Sequence, residues 1–253
     1  MTALHLADPR ESADLGAFLV RLLRYDKAAA VRLQTANGAL AVFARLPLGE
    51  SGPLVIRTVA LLPQEADGLD LTVSAGLLLD GIDETEAASK AGAEAPAPSP
   101  TPVPTVTVPG ARQGTSLGTD ATTTTAAGTL TLPAPITGPA WAGLLPPRTS
   151  WEFVADLATG RLNAAVQAAV TEFRQESTDP DGLAEAIWSR QVHPSGLTMR
   201  ALHAAHLVGL LRQSETVALH RHPAWLRLTA PRGSVIIRRA PAIGSGLGLT
   251  PTR

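Results

Sequence analysis

The sequence predicts an α+β protein: an N-terminal helix plus antiparallel meander, a disordered Pro/Thr/Ala-rich linker, and C-terminal helices followed by an antiparallel meander. Three observations carry this. Apolar residues recur at 3.6-residue spacing in "FLVRLLR" (18–24) and "AAVQAAVTEF" (164–173). Short β-branched runs separated by turn residues follow the helical patterns at both ends. Between them, residues 87–139 hold nine prolines, four charges and no aromatic side chain. Such a segment cannot bury enough apolar surface to offset the entropy of ordering. The predicted divisions are an N-terminal α+β unit (1–86), a linker (87–145) and a C-terminal unit (146–253).

Asp8 or Ser12 can cap the first helix and Pro9 suits its first turn. Leu15, Phe18, Leu19, Leu22 and Leu23 form its apolar stripe. "AAVRLQT", "ALAVFARLP" and "PLVIRTVALL" then read as strands, with Asn37–Gly38 as a hairpin turn. "LDLTVSAGLLLDGI" adds a strand and a short helix. After Pro146–Pro147, the series Thr149–Ser150–Trp151–Glu152 has capping-box spacing. A helix with Leu162, Val166, Ala169, Val170 and Phe173 on one face follows. Asp179–Pro180 starts the next, with Leu183, Ala184, Ile187 and Trp188 inward. "LTMRALHAAHLVGLLR" is apolar almost all round and reads as a buried third helix. "TVALHRH", "AWLRLTA" and "SVIIRRA" close the meander.

The two ends resemble each other. Residues 18–57 can be laid on 206–238, matching Val31 with Val217, Leu33 with Leu219, Gly49 with Gly233, Ile56 with Ile237 and Arg57 with Arg238. A repeat of this kind would give each end one helix-plus-meander unit, each covering the other's apolar sheet face.

There is no cysteine, which excludes disulfides, thiolate catalysis and Cys-ligated metals. No basic segment followed by an apolar run marks a signal peptide, and no stretch is long enough to span a bilayer. A cytoplasmic location, with no membrane partner, is the expectation. Formal charge is −1 but uneven: residues 65–86 carry seven carboxylates and no base, whereas 200–253 carry eight arginines and one carboxylate, Glu215. That asymmetry fits a polyanion partner, or docking of the acidic edge on the arginine-rich surface.

"FLVRLLRYDKAAAVRL…ARLP" and "LPPRTSWEFVADL…AAHLVGLL…WLRL" followed by "GSV" resemble two-domain actinobacterial proteins known only as domains of unknown function. The resemblance covers both ordered parts and omits the linker. It implies no activity and no site residues.

Four histidines fall within twenty residues. His203 and His206 share a helix face, and His220 and His222 one side of a strand, so the two pairs are candidate ligands for Zn²⁺ or Ni²⁺. The helix pair sits among Met199, Leu202, Leu207 and Leu210, and no H-E-x-x-H signature occurs, which favours packed histidines. Three helices before a hairpin is also the order of a winged helix-turn-helix. Arg221, Arg227, Arg232, Arg238 and Arg239 are the candidate phosphate contacts. Against that, an apolar third helix belongs in a core, and Trp225 and the other tryptophans form no cluster for base stacking. No Walker A loop or G-x-S-x-G occurs, and "GSGLG" (244–248) has no helix after it. Asp67, Asp70, Asp80, Asp83, Glu84 and Glu86 lack metal-loop spacing. No cofactor is called for. The sequence therefore reads as a non-catalytic interaction or regulatory module, with nucleic-acid binding as the alternative and a His-based metal site behind both.

Overall fold

The structure, a computed structural model, describes residues 3–49, 52–63, 65, 67–82, 128–175 and 178–239. Asp83, Glu84, Glu86, the predicted linker as far as 127 and the glycine-rich tail lie outside the described residues.

The N-terminal half opens with β1 (Ala3–His5) and α1 (Pro9–Tyr25). Asp8 caps the helix, accepting from the Arg10 backbone N–H at 2.8 Å, and Pro9 occupies the first turn. Ser12, the other candidate cap, is buried inside the helix instead. The meander β2 (Ala30–Ala36), β3 (Ala39–Arg45) and β4 (Leu54–Ala60) follows. Asn37 and Gly38 both take positive φ, the geometry of a two-residue hairpin turn. Next come β5 (Asp70–Ser74) and α2 (residues 75–82).

Residues 128–145, read from composition as the end of the linker, are structured. β6 (Thr129–Thr131) pairs with β1, burying Leu130 and Leu132, and Ala140–Gly143 form a 3-10 turn. Three residues of strand are enough here because an apolar side chain reaches the core at every second position.

The expected capping box is not a helix start. Glu152–Ala158 is a strand, β7, and α3 begins only at Thr159, running to Phe173. The run "EFVADLA" places Leu157 toward the core, and a bulge at Val154 lets Val154 pack there too. α4 (Pro180–Trp188) is capped by Asp179, whose Oδ1 accepts from the Gly182 N–H at 2.9 Å. α5 (Met199–Leu207) is shorter than its apolar run suggested. Gly209 takes φ +80° and turns the chain out of the helix, leaving Leu210–Arg212 as a 3-10 turn. β8 (Thr216–His222), β9 (Trp225–Ala230) and β10 (Gly233–Arg238) complete the chain.

The two meanders meet edge to edge. One eight-stranded sheet runs β5-β2-β3-β4-β10-β9-β8-β7, with β4 and β10 antiparallel at its centre. Its order is symmetric about that seam in β4/β10, β3/β9 and β2/β8. The halves thus share a sheet, and neither covers the other's face as the repeat had suggested. Helices cover one face: α1 packs on β4, α5 on β10, and α3 on α5, α4 and β7. Val31 and Leu33 of β2, and Val217 and Leu219 of β8, point to this side, in agreement with the sequence match. At the centre that match is one residue out of step. Ile56 shares the opposite face with Ile236, whereas Ile237 packs on the helix side.

The opposite face carries a smaller core of Phe43, Leu54, Ile56, Trp225 and Ile236. A strap, residues 136–151, crosses it. The Ile136 N–H donates to Thr72 O at 2.8 Å, the Arg32 guanidinium donates to Ala142 O, and Arg148 donates to Gln34 Oε1 at 3.1 Å. Trp141, Leu145 and Trp151 pack onto the small core from the strap. Three of the four tryptophans, Trp141, Trp151 and Trp225, thus serve one apolar cluster, while Trp188 packs on the helix side.

Candidate functional site

The described part of the acidic 65–86 edge does not face the arginine-rich surface. Of its described carboxylates, Glu65 bonds to His5 and Asp70 takes a two-pronged hydrogen bond from Arg32 at 2.7 and 2.6 Å. Both partners lie in the N-terminal half. Strand order is the reason, because β5 is the far edge of the sheet from β8–β10. The guanidinium holds the Asp70 carboxyl below its ordinary range, chiefly through this hydrogen bond.

The five candidate phosphate-binding arginines occupy different surroundings. Arg232 reaches to the helix side and pairs with Asp14. Arg227 lies beneath the strap, 5.8 Å from the Trp151 ring, and donates to Ser234 Oγ at 3.1 Å; burial lowers its pKa. Arg221 pairs with Glu152 of β7 at 2.7 Å. Arg238 lies 5.0 Å over the Trp225 ring, and Arg239 donates to Pro223 O at 3.5 Å. α5, the helix a winged-helix reading would send into a groove, buries Met199, Ala201, Leu202, Ala204 and Ala205. The hairpin after it belongs to the large sheet.

The two histidine pairs stand on opposite faces of that sheet. His203 stacks on Trp188 with ring centres 4.4 Å apart and planes 12° from parallel. Burial, with a smaller contribution from His206, pushes its pKa down to about 4. His206 Nδ1 lies 3.0 Å from Asn163 Oδ1, and burial lowers its pKa as well. His220 meets Phe153 edge-on, and its pKa is lowered by burial and then by Arg227. His222 lies against Trp151. Among the described residues, no three His, Asp or Glu side chains gather as metal ligands would.

Concavities at the seam include two with arginines from both halves in their lining. On the helix side, a cleft of about 280 Å³ lies between α1 and the α5 terminus, lined by Asp14, Arg21, Arg57, Gly209 and Arg232 among others. Arg57 at its base is buried, with Asp14 Oδ2 at 3.3 Å and Glu11 Oε2 at 3.8 Å; desolvation lowers its pKa. Arg57 and Arg232 in its lining both pair with Asp14.

On the strap side, a pocket of about 240 Å³ has Leu54 and Ile236 as floor, Trp141, Leu144 and Trp225 as walls, and Arg45 and Arg238 at the rim. All its lining comes from strand ends, the strap and Gly52, so both halves and the connection build it together. Leu144 is 51% exposed. Sequence reading missed Arg45, Trp141 and Leu144. A tryptophan at the end of a proline-rich stretch was the one signal available.

Two family models match this chain. Residues 1–103 match a domain of unknown function, DUF8010, and residues 146–242 match a second, DUF8185. The two matches cover the two regions first picked out by composition and periodicity, and the first runs on into the proline-rich stretch. A search among curated proteins finds no match. Among solved structures, similarity is found to a DNA polymerase sliding clamp from Caulobacter crescentus, at 13% identity and TM-score 0.47 over 94% of this chain. A sliding clamp from Pseudomonas aeruginosa gives 12% and 0.46 over 95%, and the DNA polymerase III β subunit from Thermotoga maritima 11% and 0.46 over 94%. The chain spans 65% of the length of the Caulobacter clamp. Among the described residues no helix is long and apolar enough to cross a membrane.

Proposed function

We propose that this protein is a non-catalytic interaction module of the cytoplasm, which recognises a partner protein on the strap-covered face of its sheet. The observation that carries the reading is the pocket between strap and seam. It combines exposed apolar surface, two indole walls and two guanidiniums, the residue types that dominate binding energy at protein interfaces. Its construction from both halves makes recognition depend on the assembled sheet, which suits a regulatory module.

The test is selection of random peptides displayed on phage against the full chain, counter-screened on Leu144→Arg. Leu144 is half exposed, so the substitution blocks the pocket without emptying a core. Enriched peptides that lose binding to the variant are the expected result. Anisotropy with labelled duplex DNA across a salt series runs alongside. Duplex binding that falls steeply with salt, with no Leu144-dependent peptide, would replace this reading by nucleic-acid binding.

A further inference from the structure

We propose that the strap pocket takes an apolar side chain flanked by carboxylates, so that the partner segment is acidic and hydrophobic. This rests on the interaction reading above and gives it a partner chemistry. Leu54, Ile236, Trp141 and Trp225 form an apolar cup that matches one branched or aromatic side chain in size. Arg45 comes from the end of β3 and Arg238 from the end of β10, so they stand on strands flanking the β4 strand end. Among the described residues, no carboxylate lines the pocket.

Among the described residues, neither guanidinium is paired with a carboxylate. Arg45 donates to Gly49 O at a long 3.3 Å, and Arg238 lies on the Trp225 ring. Both contacts hold a planar fork at the rim with most donors free. That geometry suits a carboxylate, which a guanidinium binds through two parallel N–H groups. Six other arginines, Arg32, Arg57, Arg190, Arg200, Arg221 and Arg232, are paired with carboxylates, whereas Arg148, Arg227 and Arg239, like Arg45, donate to neutral acceptors. A partner's carboxylates would complete at the rim what the fold completes elsewhere.

The experiment uses three displayed peptide pools with the same randomised apolar core. Their flanking positions are restricted to Asp/Glu, Ser/Gln or Lys/Arg. Each is selected on the full chain, on Leu144→Arg, and on Arg45→Gln/Arg238→Gln. Arg238 is exposed and Arg45 half-buried, and a melting temperature within a degree or so of the parent certifies the double variant. Arg45→Lys/Arg238→Lys, which keeps charge but loses the fork, is the second variant. The acidic pool should enrich about tenfold over the neutral one, fall about tenfold on the Gln variant, and fall less on the Lys variant. Equal enrichment of neutral or basic flanks, or acidic binders indifferent to the Gln variant, overturns the inference. If neutral peptides bind and need Leu144, the interaction reading stands while this one fails. If no pool yields Leu144-dependent binders, both fail.

Discussion

Arg57 and Gly233 stand directly opposite one another where β4 meets β10. A long buried cation faces a residue with no side chain, and both serve the join between the halves. A Cβ at position 233 would lie 2.2 Å from Ile56 O and 3.2 Å from a Leu210 methyl. The seam can close only if that position is bare.

Gly233→Ala is therefore expected to cost about 2–4 kcal/mol, read as a lower urea midpoint. Gly143→Ala, where a Cβ meets nothing, should stay within about 0.5 kcal/mol. An unchanged midpoint for Gly233→Ala would show that the strands do not approach this closely.

Arg57→Met removes a buried charge and takes a partner from the Glu11 and Asp14 carboxylates, of which Asp14 keeps Arg232. A loss of about 2–4 kcal/mol is expected, at the lower end because the carboxylates are partly exposed. Adding Glu11→Gln and Asp14→Asn to Arg57→Met should recover much of it. A triple variant less stable than the single would mean that packing of the arginine stem, and not its charge, holds the site.

His203 gives the fold a pH dependence of known sign. Its folded pKa is near 4 against an ordinary 6.5, so the unfolded chain binds more protons between these values. The stability it contributes is complete above about pH 6.5 and declines as pH falls toward 4. Allowing for the ring's partial exposure, the loss is about 1–2 kcal/mol. His203→Phe keeps the stack on Trp188 and should flatten urea stability between pH 7 and 5. It should not abolish the slope, because His206 and His220 shift the same way. A slope as steep as the parent's would assign it elsewhere.

Trp151 fixes the C-terminal end of the strap. Its indole N–H donates to Pro147 O at 2.9 Å, and its ring lies against Arg227 and His222. Trp151→Ala should cost about 1–3 kcal/mol, less than a fully buried indole, and speed amide exchange in residues 140–148. Protection that survives the substitution would show the strap to be held by Trp141, Leu145 and its hydrogen bonds to Arg32 and Gln34.

Much of this molecule was legible in the sequence where one face of an element decides its fate. Asp8 and Pro9 mark the start of α1, Asn37–Gly38 the first hairpin, and "TVALHRH" and "AWLRLTA" two strands within a residue or so. The strap was not legible, because its order comes from bonds to partners remote in sequence, such as Arg32 to Ala142 and Arg148 to Gln34. β7 was misread because Thr149 and Glu152 have cap spacing, while Ser150 between them takes φ +65° ahead of a strand. Periodicity could place the histidines and arginines on faces. It could not say that β4 would meet β10, and that pairing brings Arg45 and Arg238 to one pocket.

The seam also changes what the peptide bond between the halves is for. β4 and β10 are held by a ladder, and β6 reaches back to β1. Covalent continuity thus adds proximity to contacts that are already specific. Two polypeptides, one ending near residue 103 and one starting before Gly128, should therefore reconstitute the fold when mixed. Each alone would expose a central strand edge that invites aggregation. Such a split protein would make assembly of the halves, and with it the strap pocket, a function of concentration.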